Sequence, residues 1–408
     1  MSRAGYRELW RVPTYPWLLT AVFLARLANA MSQVAVVIYL LDRTHSPALA
    51  GAGAAAQLVP GVLVGPLAGA WLDRTQHRRR LIVSAQLVRA ALLVAVVVVG
   101  ELGSPSPAVY LVLLAGMGVT FPILTPGFRA LVPLLVPRRL WDQSNAADSV
   151  SFDTAYILGP ALAGATVTIA GPARAIVVQA LATLVAAGAA TRVREPAARP
   201  VAEEPALQAA WEGVRVVAGH PQLRAVMAAM LISGIGLGAF TIGLPLWAEM
   251  HGLSPGAAGW MWAALSAGSI LGGITYGWRR PKGSDARHLV VFFALVGVPL
   301  LGVPLAPSLG SAMICMFVAG LFTAPGIIAM FGIRQRSVPF EFQGRTFAIT
   351  IGVAAASMPF GAMLSGFVVG DVGVHRLLFL AGFSQFAAAA AAAALLQSAR
   401  RRRELATA

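Results

Sequence analysis

Several common chemistries are excluded by what this chain lacks. It has one cysteine, Cys315, so no intrachain disulfide and no cysteine metal site can form. Its six histidines show no His-x-x-x-His spacing and no acidic cluster beside them, so no metal site is expected. "GSILGG" (Gly268–Gly273) has the glycines of a phosphate-binding loop but not the lysine, so ATP is not the expected energy source. Nucleophile–base pairs and paired acids are also missing, so no catalytic residue, cofactor or enzyme activity is expected. Charged residues make up only 12% of the chain, against about 25% in soluble domains.

What is there is apolar: 58% hydrophobic residues and a mean hydropathy of +0.74. The apolar residues come in blocks of roughly 20, the length of helix that crosses about 30 Å of hydrocarbon. Twelve spans are expected, at 17–41, 48–72, 81–100, 108–131, 145–169, 173–191, 223–247, 257–278, 288–306, 309–333, 345–369 and 374–397. All must be helical, because backbone groups in lipid need internal partners. The fold class is therefore an all-α membrane protein.

The net charge of +15 does not indicate a nucleic-acid partner. The cations fall in short tracts between apolar blocks, without aromatic interleaving or a DNA-binding motif. All but one of the 31 are arginine, Lys282 being the exception. They alternate in density along the chain. Arg3, Arg7, Arg11, Arg74, Arg78–Arg80, Arg138, Arg139, the 192–215 segment, Arg279–Arg287 and Arg400–Arg403 fall on one side. Only Arg43, Arg174 and Arg376 fall on the other. The positive-inside rule then places both termini in the cytoplasm. "MSRAGYRELWRVPTYPW" leads into the first span without a small-residue cleavage site.

Three parts are expected: a six-helix bundle at 1–191, a linker at 192–222 and a second bundle at 223–408. "REPAARPVAEEPA" reads as flexible, and "LQAAWEGVRVVAGHPQL" as an amphipathic surface helix. The halves repeat weakly. At an offset of 208, Ser46-Pro47 matches Ser254-Pro255, and Gly51, Gly65 and Gly69 match Gly259, Gly273 and Gly277. At 202, Gly118 matches Gly320 and Gly164 matches Gly366. Two parallel six-helix repeats suit an alternating-access carrier with its substrate site between the halves.

Gly69-Ala-Trp-Leu-Asp73-Arg74-Thr-Gln-His-Arg78-Arg79 resembles the signature between spans 2 and 3 of the major facilitator superfamily, with Gln76 in place of the usual glycine. "ILGPALAG" (Ile157–Gly164) resembles the antiporter element of span 5, with Gly159, Pro160 and Gly164 kept and Ala163 replacing a glycine. "SPALAG", "FRALVPLLVPRRLWDQSNAA", "WEGVRVVAGHPQLR" and "RQRSVPFEFQGRTFA" are similar to the bacterial drug, macrolide and siderophore exporters of that superfamily. The resemblance implies two pseudo-symmetric six-helix bundles in the bacterial inner membrane. It also implies proton-coupled efflux of a small organic molecule. A proton-linked importer or facilitator is the second possibility, and a non-transporting sensor the third. Small molecule, protons and membrane lipid are the expected partners, and the protein is expected to be a monomer.

Charges inside spans are expensive and are usually functional or paired. Arg26, Asn29 and Gln33 share a helical stripe in span 1, which lines the cavity in the resembled fold. Phe121, Phe240 and Phe322 are further cavity candidates. Asp153 is the first choice for proton coupling because it lies deeper in span 5, with Asp148 second. Arg89, Arg129, Arg334 and Arg336 are expected to gate or to pair structurally. Gly69, Asp73, Arg74, Arg78 and Arg79 are expected to form a conformational latch. Its second-half counterpart, "GWRRPKGSDAR", has Pro281 where the acid belongs and reads as degenerate, so Asp73→Asn should cut transport more than Asp285→Asn. The histidines, His288 included, read as loop or edge residues.

Overall fold

The computed structural model describes residues 3–75, 77–103, 105–195, 214–278, 283–337 and 340–407. Fourteen long helices run through them: α1 (Arg3–Arg11), α2 (Tyr15–Thr44), α3 (Pro47–Ala56), α4 (Val59–Arg74), α5 (Arg78–Leu102), α6 (Pro107–Leu135), α7 (Trp141–Ala170), α8 (Pro172–Thr191), α9 (Pro221–Met250), α10 (Ala257–Trp278), α11 (Asp285–Leu300), α12 (Leu309–Ser337), α13 (Phe340–Val372) and α14 (Val374–Thr407). No strand occurs among the described residues. Among the described residues, ten segments are long and apolar enough to cross a membrane. In α13 only Ala356–Val372 counts as a shorter apolar stretch, and α7, which carries Asp142, Asp148 and Asp153, is not among the ten.

Prolines set several helix starts. Pro107, Pro172 and Pro221 occupy the first turns of α6, α8 and α9, where a missing N–H costs nothing. The expected single helix 48–72 is instead broken at Gln57–Leu58 into α3 and α4, and Pro60 sits in the first turn of the second piece. The N-terminal residues form a further helix, α1. Its Leu9 is fully buried with Tyr15, Val136 and Leu140, and Glu8 pairs with Arg139. That hydrogen bond holds the Arg139 guanidinium above its usual range.

The chain forms two compact units, Met1–Arg43 with Ala56–Ala206, and Thr44–Ala55 with Leu207–Ala408. Each is built on glycine crossings. In the first unit a Cβ on Gly118 would lie 2.8 Å from the Ala56 carbonyl oxygen, so α6 needs glycine to approach the end of α3. In the second, a Cβ on Gly320 would overlap the Leu265 carbonyl of α10. The sequence repeat of Gly118 with Gly320 is thus a repeat of helix contacts.

A second repeated feature is polar. In the first unit, Gln179 Nε2 donates to Ser32 Oγ at 2.9 Å, and Ser32 Oγ donates to Gln57 Oε1 at 2.6 Å, tying α8 and α2 to the α3–α4 break. In the second, Ser233 Oγ donates to Gln385 Oε1 at 2.7 Å, tying α9 to α14. In both units a buried glutamine amide meets a serine hydroxyl. The linker expected at 192–222 falls outside the described residues between 196 and 213. Residues 214–219 are helical, and Val217 packs on Leu223.

Candidate functional site

Arg26 sits mid-way along α2 and is 7% exposed. A guanidinium cannot shed its charge, so burial demands partners. Arg26 Nη1 meets Asp148 Oδ1 at 2.8 Å and donates to the Asp148 main-chain oxygen at 3.0 Å. Its guanidinium lies 5.4 Å from the Phe152 ring centroid. Phe152 in turn stacks on Tyr156 at 4.5 Å. One turn along α2, Asn29 Nδ2 donates to Tyr156 Oη at 3.3 Å, and Asn29 Oδ1 accepts from Arg89 Nη2 at 2.9 Å. Arg89, on α5, is 4% exposed.

One buried network therefore joins α2, α5 and α7. Among its described side chains it holds two cations and one carboxylate. Gly159 brings α7 against α2, since a Cβ there would lie 2.5 Å from Ala30 Cβ. Pro160 and Gly164 of the same element are buried in α7. Among the described residues Asp148 pairs with Arg26.

The other expected residues separate. Gln33 is half-buried and has no described contact with the network, and Phe121 is half-buried in α6. Phe240 has no exposed face: it is core of the second unit, packed with Leu244, Trp247 and Met261, a correction to its reading as a cavity wall. Phe322 packs against that core, its ring 6.5 Å from Phe292. Gly69 belongs to α4, and the side chains of Asp73, Arg74, Arg129 and Asp153 lie outside the described residues.

Arg78 and Arg79 open α5, and the acid that meets them was not foreseen. Glu195, beyond α8, accepts the Arg78 backbone N–H at Oε1 (3.0 Å) and the Arg79 N–H at Oε2 (2.9 Å). A carboxylate at a helix N-terminus satisfies orphan donors and complements the helix dipole. The Arg79 side chain reaches the other way, donating to the Val193 carbonyl at 3.1 Å and the Thr191 carbonyl at 3.4 Å, at the end of α8.

The second unit has a charged cluster of its own. Asp285, at the start of α11, is buried and pairs with Arg336 of α12. Arg334 is also buried, donates to Thr350 Oγ1 at 2.6 Å and lies 4.3 Å from the Phe331 ring. His288 is not a loop residue. It is 4% exposed in the first turn of α11, and Nδ1 is hydrogen-bonded with Tyr276 Oη at 2.7 Å. Tyr156, Glu195 and Tyr276 carried no charge-in-span or motif signal. Only their spacing from neighbouring helices reveals them.

Comparison with known proteins follows the same lines. The family model of the Major Facilitator Superfamily matches residues 18–348. An uncharacterised MFS-type transporter of Sinorhizobium fredii is 29% identical, over 94% of this chain and 95% of its own. The multidrug efflux pump Tap of Mycolicibacterium fortuitum is 26% identical, over 88% and 90%. Macrolide efflux protein A of Streptococcus pyogenes is 23% identical, over 91% and 93%. Among solved structures, the nucleoside transporter NupG superposes with a TM-score of 0.75 at 11% identity, over 93% of this chain and 98% of that one. A bacterial homologue of the lysosomal transporter Spinster superposes with a TM-score of 0.68 at 15% identity, over 97% and 96%. With the all-helical fold, the membrane-length helices and the family match over most of its length, this chain belongs to the Major Facilitator Superfamily and is a multi-pass membrane transporter, not an enzyme.

Proposed function

We propose that the protein is a proton-coupled exporter of a small organic molecule, working by alternating access, with Arg26 and Asp148 as its coupling pair. The observation that carries this reading is the Arg26–Asp148 contact at 2.8 Å inside the first unit. A neighbouring guanidinium favours the ionised form of a carboxylate, and burial without one favours the protonated form. A carrier that makes this contact in one state and breaks it in the other takes up a proton on one side and releases it on the other. Asn29, Tyr156 and Arg89 hold Arg26's neighbourhood in register, and Phe152 gives the guanidinium an alternative face. Asp153 is the second coupling candidate. The observed pair favours Asp148.

Export as the direction rests on two of the relatives, an efflux pump and a macrolide efflux protein. We assign bundles to 1–191 and 223–408 and a linker to 192–222. We place both termini in the cytoplasm of a bacterial inner membrane, and we take the monomer as the working unit. Gly69, Asp73, Arg74, Arg78 and Arg79 form the latch, and Gln33, Phe121 and Phe322 are the side chains open to substrate.

The test is a panel of fluorescent dyes and antibiotics in everted vesicles under an imposed pH gradient. An acid lumen should drive accumulation of at least one compound, and Asp148→Asn should abolish that drive at equal protein level. Accumulation that ignores the gradient, or an unaltered Asp148→Asn, overturns the coupling assignment.

A further inference from the structure

We infer that the bilayer-facing side of α5 and α8 holds one anionic glycerophospholipid, with Arg79 and Arg80 on its phosphate and Val83 and Leu87 along the start of an acyl chain. The site lies wholly within the first unit and does not depend on the Arg26–Asp148 reading.

A groove of about 240 Å³ opens where α5 begins and α8 ends, walled by Arg79, Arg80, Val83, Ser84, Leu87 and Thr191. Pockets for drug-sized ligands are clefts of about 300–1,000 Å³ that bury most of the ligand. This groove is smaller, and it belongs to a surface of exposed apolar side chains. Leu87, Val94 and Val98 are exposed on α5, and Leu181, Leu184 and Val185 on α8. Both helices are long and apolar enough to cross a membrane, so that surface meets lipid.

Charge and polarity change along the groove in the order a phospholipid requires. Arg80 is exposed, and among the described residues its side chain has no hydrogen bond or ion pair. Arg79 is fixed by the bonds of Nη1 to the Val193 and Thr191 carbonyls, and its other N–H groups remain for a ligand. A guanidinium matches two phosphate oxygens at once. Ser84 Oγ donates to the Leu81 carbonyl at 3.0 Å, and Thr191 Oγ1 to the Gly188 carbonyl at 2.7 Å. With their protons committed, both oxygens act as acceptors, which suits the hydroxyls of a glycerol headgroup. Leu87 lies 87 − 80 = 7 residues past Arg80, about 10 Å along the helix. The headgroup layer is about 5–8 Å thick. Arginines at phosphate depth therefore place Leu87 among the acyl chains.

Other groups mark this end as the lipid–water boundary. Trp17 of α2 is 44% exposed, and the Arg192 guanidinium lies 5.3 Å from its ring centroid. Indole rings gather at that boundary. Glu195 stands at the same end, but its two oxygens accept the Arg78 and Arg79 backbone N–H groups. Its charge is turned to the start of α5, and Arg79, Arg80, Arg192 and Arg194 outnumber it. A surface of that sign selects an anionic lipid over a zwitterionic one.

The test needs no transport substrate. Native mass spectrometry of the purified full-length chain in neutral detergent counts the first lipid bound from an equal mixture of dioleoyl-phosphatidylglycerol and dioleoyl-phosphatidylcholine. A basic side chain at a membrane surface is worth about fivefold in anionic-lipid affinity. Phosphatidylglycerol should therefore be preferred about tenfold or more, and Arg80→Ala should cut the preference about fivefold. Ser84→Trp fills the groove without changing charge and should also lower phosphatidylglycerol binding. Both positions are exposed, so the fold does not depend on them. Arg376→Ala, which removes an exposed arginine from the second unit, should change nothing. No preference in the wild-type chain, an unchanged preference in both Arg80→Ala and Ser84→Trp, or an equal loss in Arg376→Ala overturns the site. Excess glycerol 3-phosphate should leave the lipid in place; displacement by it would show that the arginines bind a free phosphate ester, and the lipid assignment would fall.

Discussion

Removing Arg26 exposes the energetics of the pair most directly. Arg26→Leu deletes the ion pair, one donor to the Asp148 main chain and the cation beside Phe152. It removes Arg26 from beside a carboxylate that is only 25% exposed. Breaking a buried pair by removing one partner costs about 3–5 kcal/mol, and a loss near the low end of that range is expected.

Asp148→Asn should cost less, because the main-chain bond and the Phe152 contact remain to Arg26. The double variant Arg26→Leu/Asp148→Leu should recover much of the loss, since apolar replacement of a buried pair is often neutral. Equilibrium unfolding in mixed micelles measures all three. A double variant that loses as much as Arg26→Leu alone refutes the argument.

Other contacts give sharper, smaller tests. Glu195→Ala removes a carboxylate from the first two N–H groups of α5 and should cost about 0.5–2 kcal/mol, with Glu195→Gln losing less, read by thermal unfolding in detergent. Gly320→Ala drives a Cβ into the Leu265 carbonyl and should destabilise by about 1–3 kcal/mol; an unchanged midpoint would show that α10 and α12 are not in close contact. Arg336→Ala removes the ion pair to the buried Asp285 and should lower the thermal unfolding midpoint; an unchanged midpoint would show that the pair adds nothing to stability. Transport by Asp285→Asn should be impaired as strongly as by Asp73→Asn, because the second unit's cluster is intact; a mild Asp285 phenotype beside a severe Asp73 one would restore the asymmetry expected from sequence.

Everything that depends on one-dimensional pattern was legible. Block length marked the long apolar helices, and Gly118 and Gly320 marked equivalent crossings. The break at Gln57–Leu58 was hidden because both pieces are equally apolar, and only Pro60 hinted at a new helix start. His288 was misplaced because its neighbours at the start of α11 are polar, whereas its burial comes from Tyr276 on another helix.

The sequence itself carries a reason to propose Asp148 over Asp153, and that reason is helical phase. Gly159 marks the α7 face that touches α2. Asp148 precedes it by 159 − 148 = 11 residues, close to three full turns at 3.6 residues per turn, and so falls on the same face within about 20°. Asp153 precedes it by 159 − 153 = 6 residues, which places it about 120° round the helix. On α2, Arg26 lies one turn before Ala30, the residue Gly159 abuts, and Asn29 lies beside it. A glycine crossing fixes which faces of two helices meet, and a charge finds its partner only within that seam. Small residues at a crossing therefore say more about which acid pairs with Arg26 than the depth of either acid in its span.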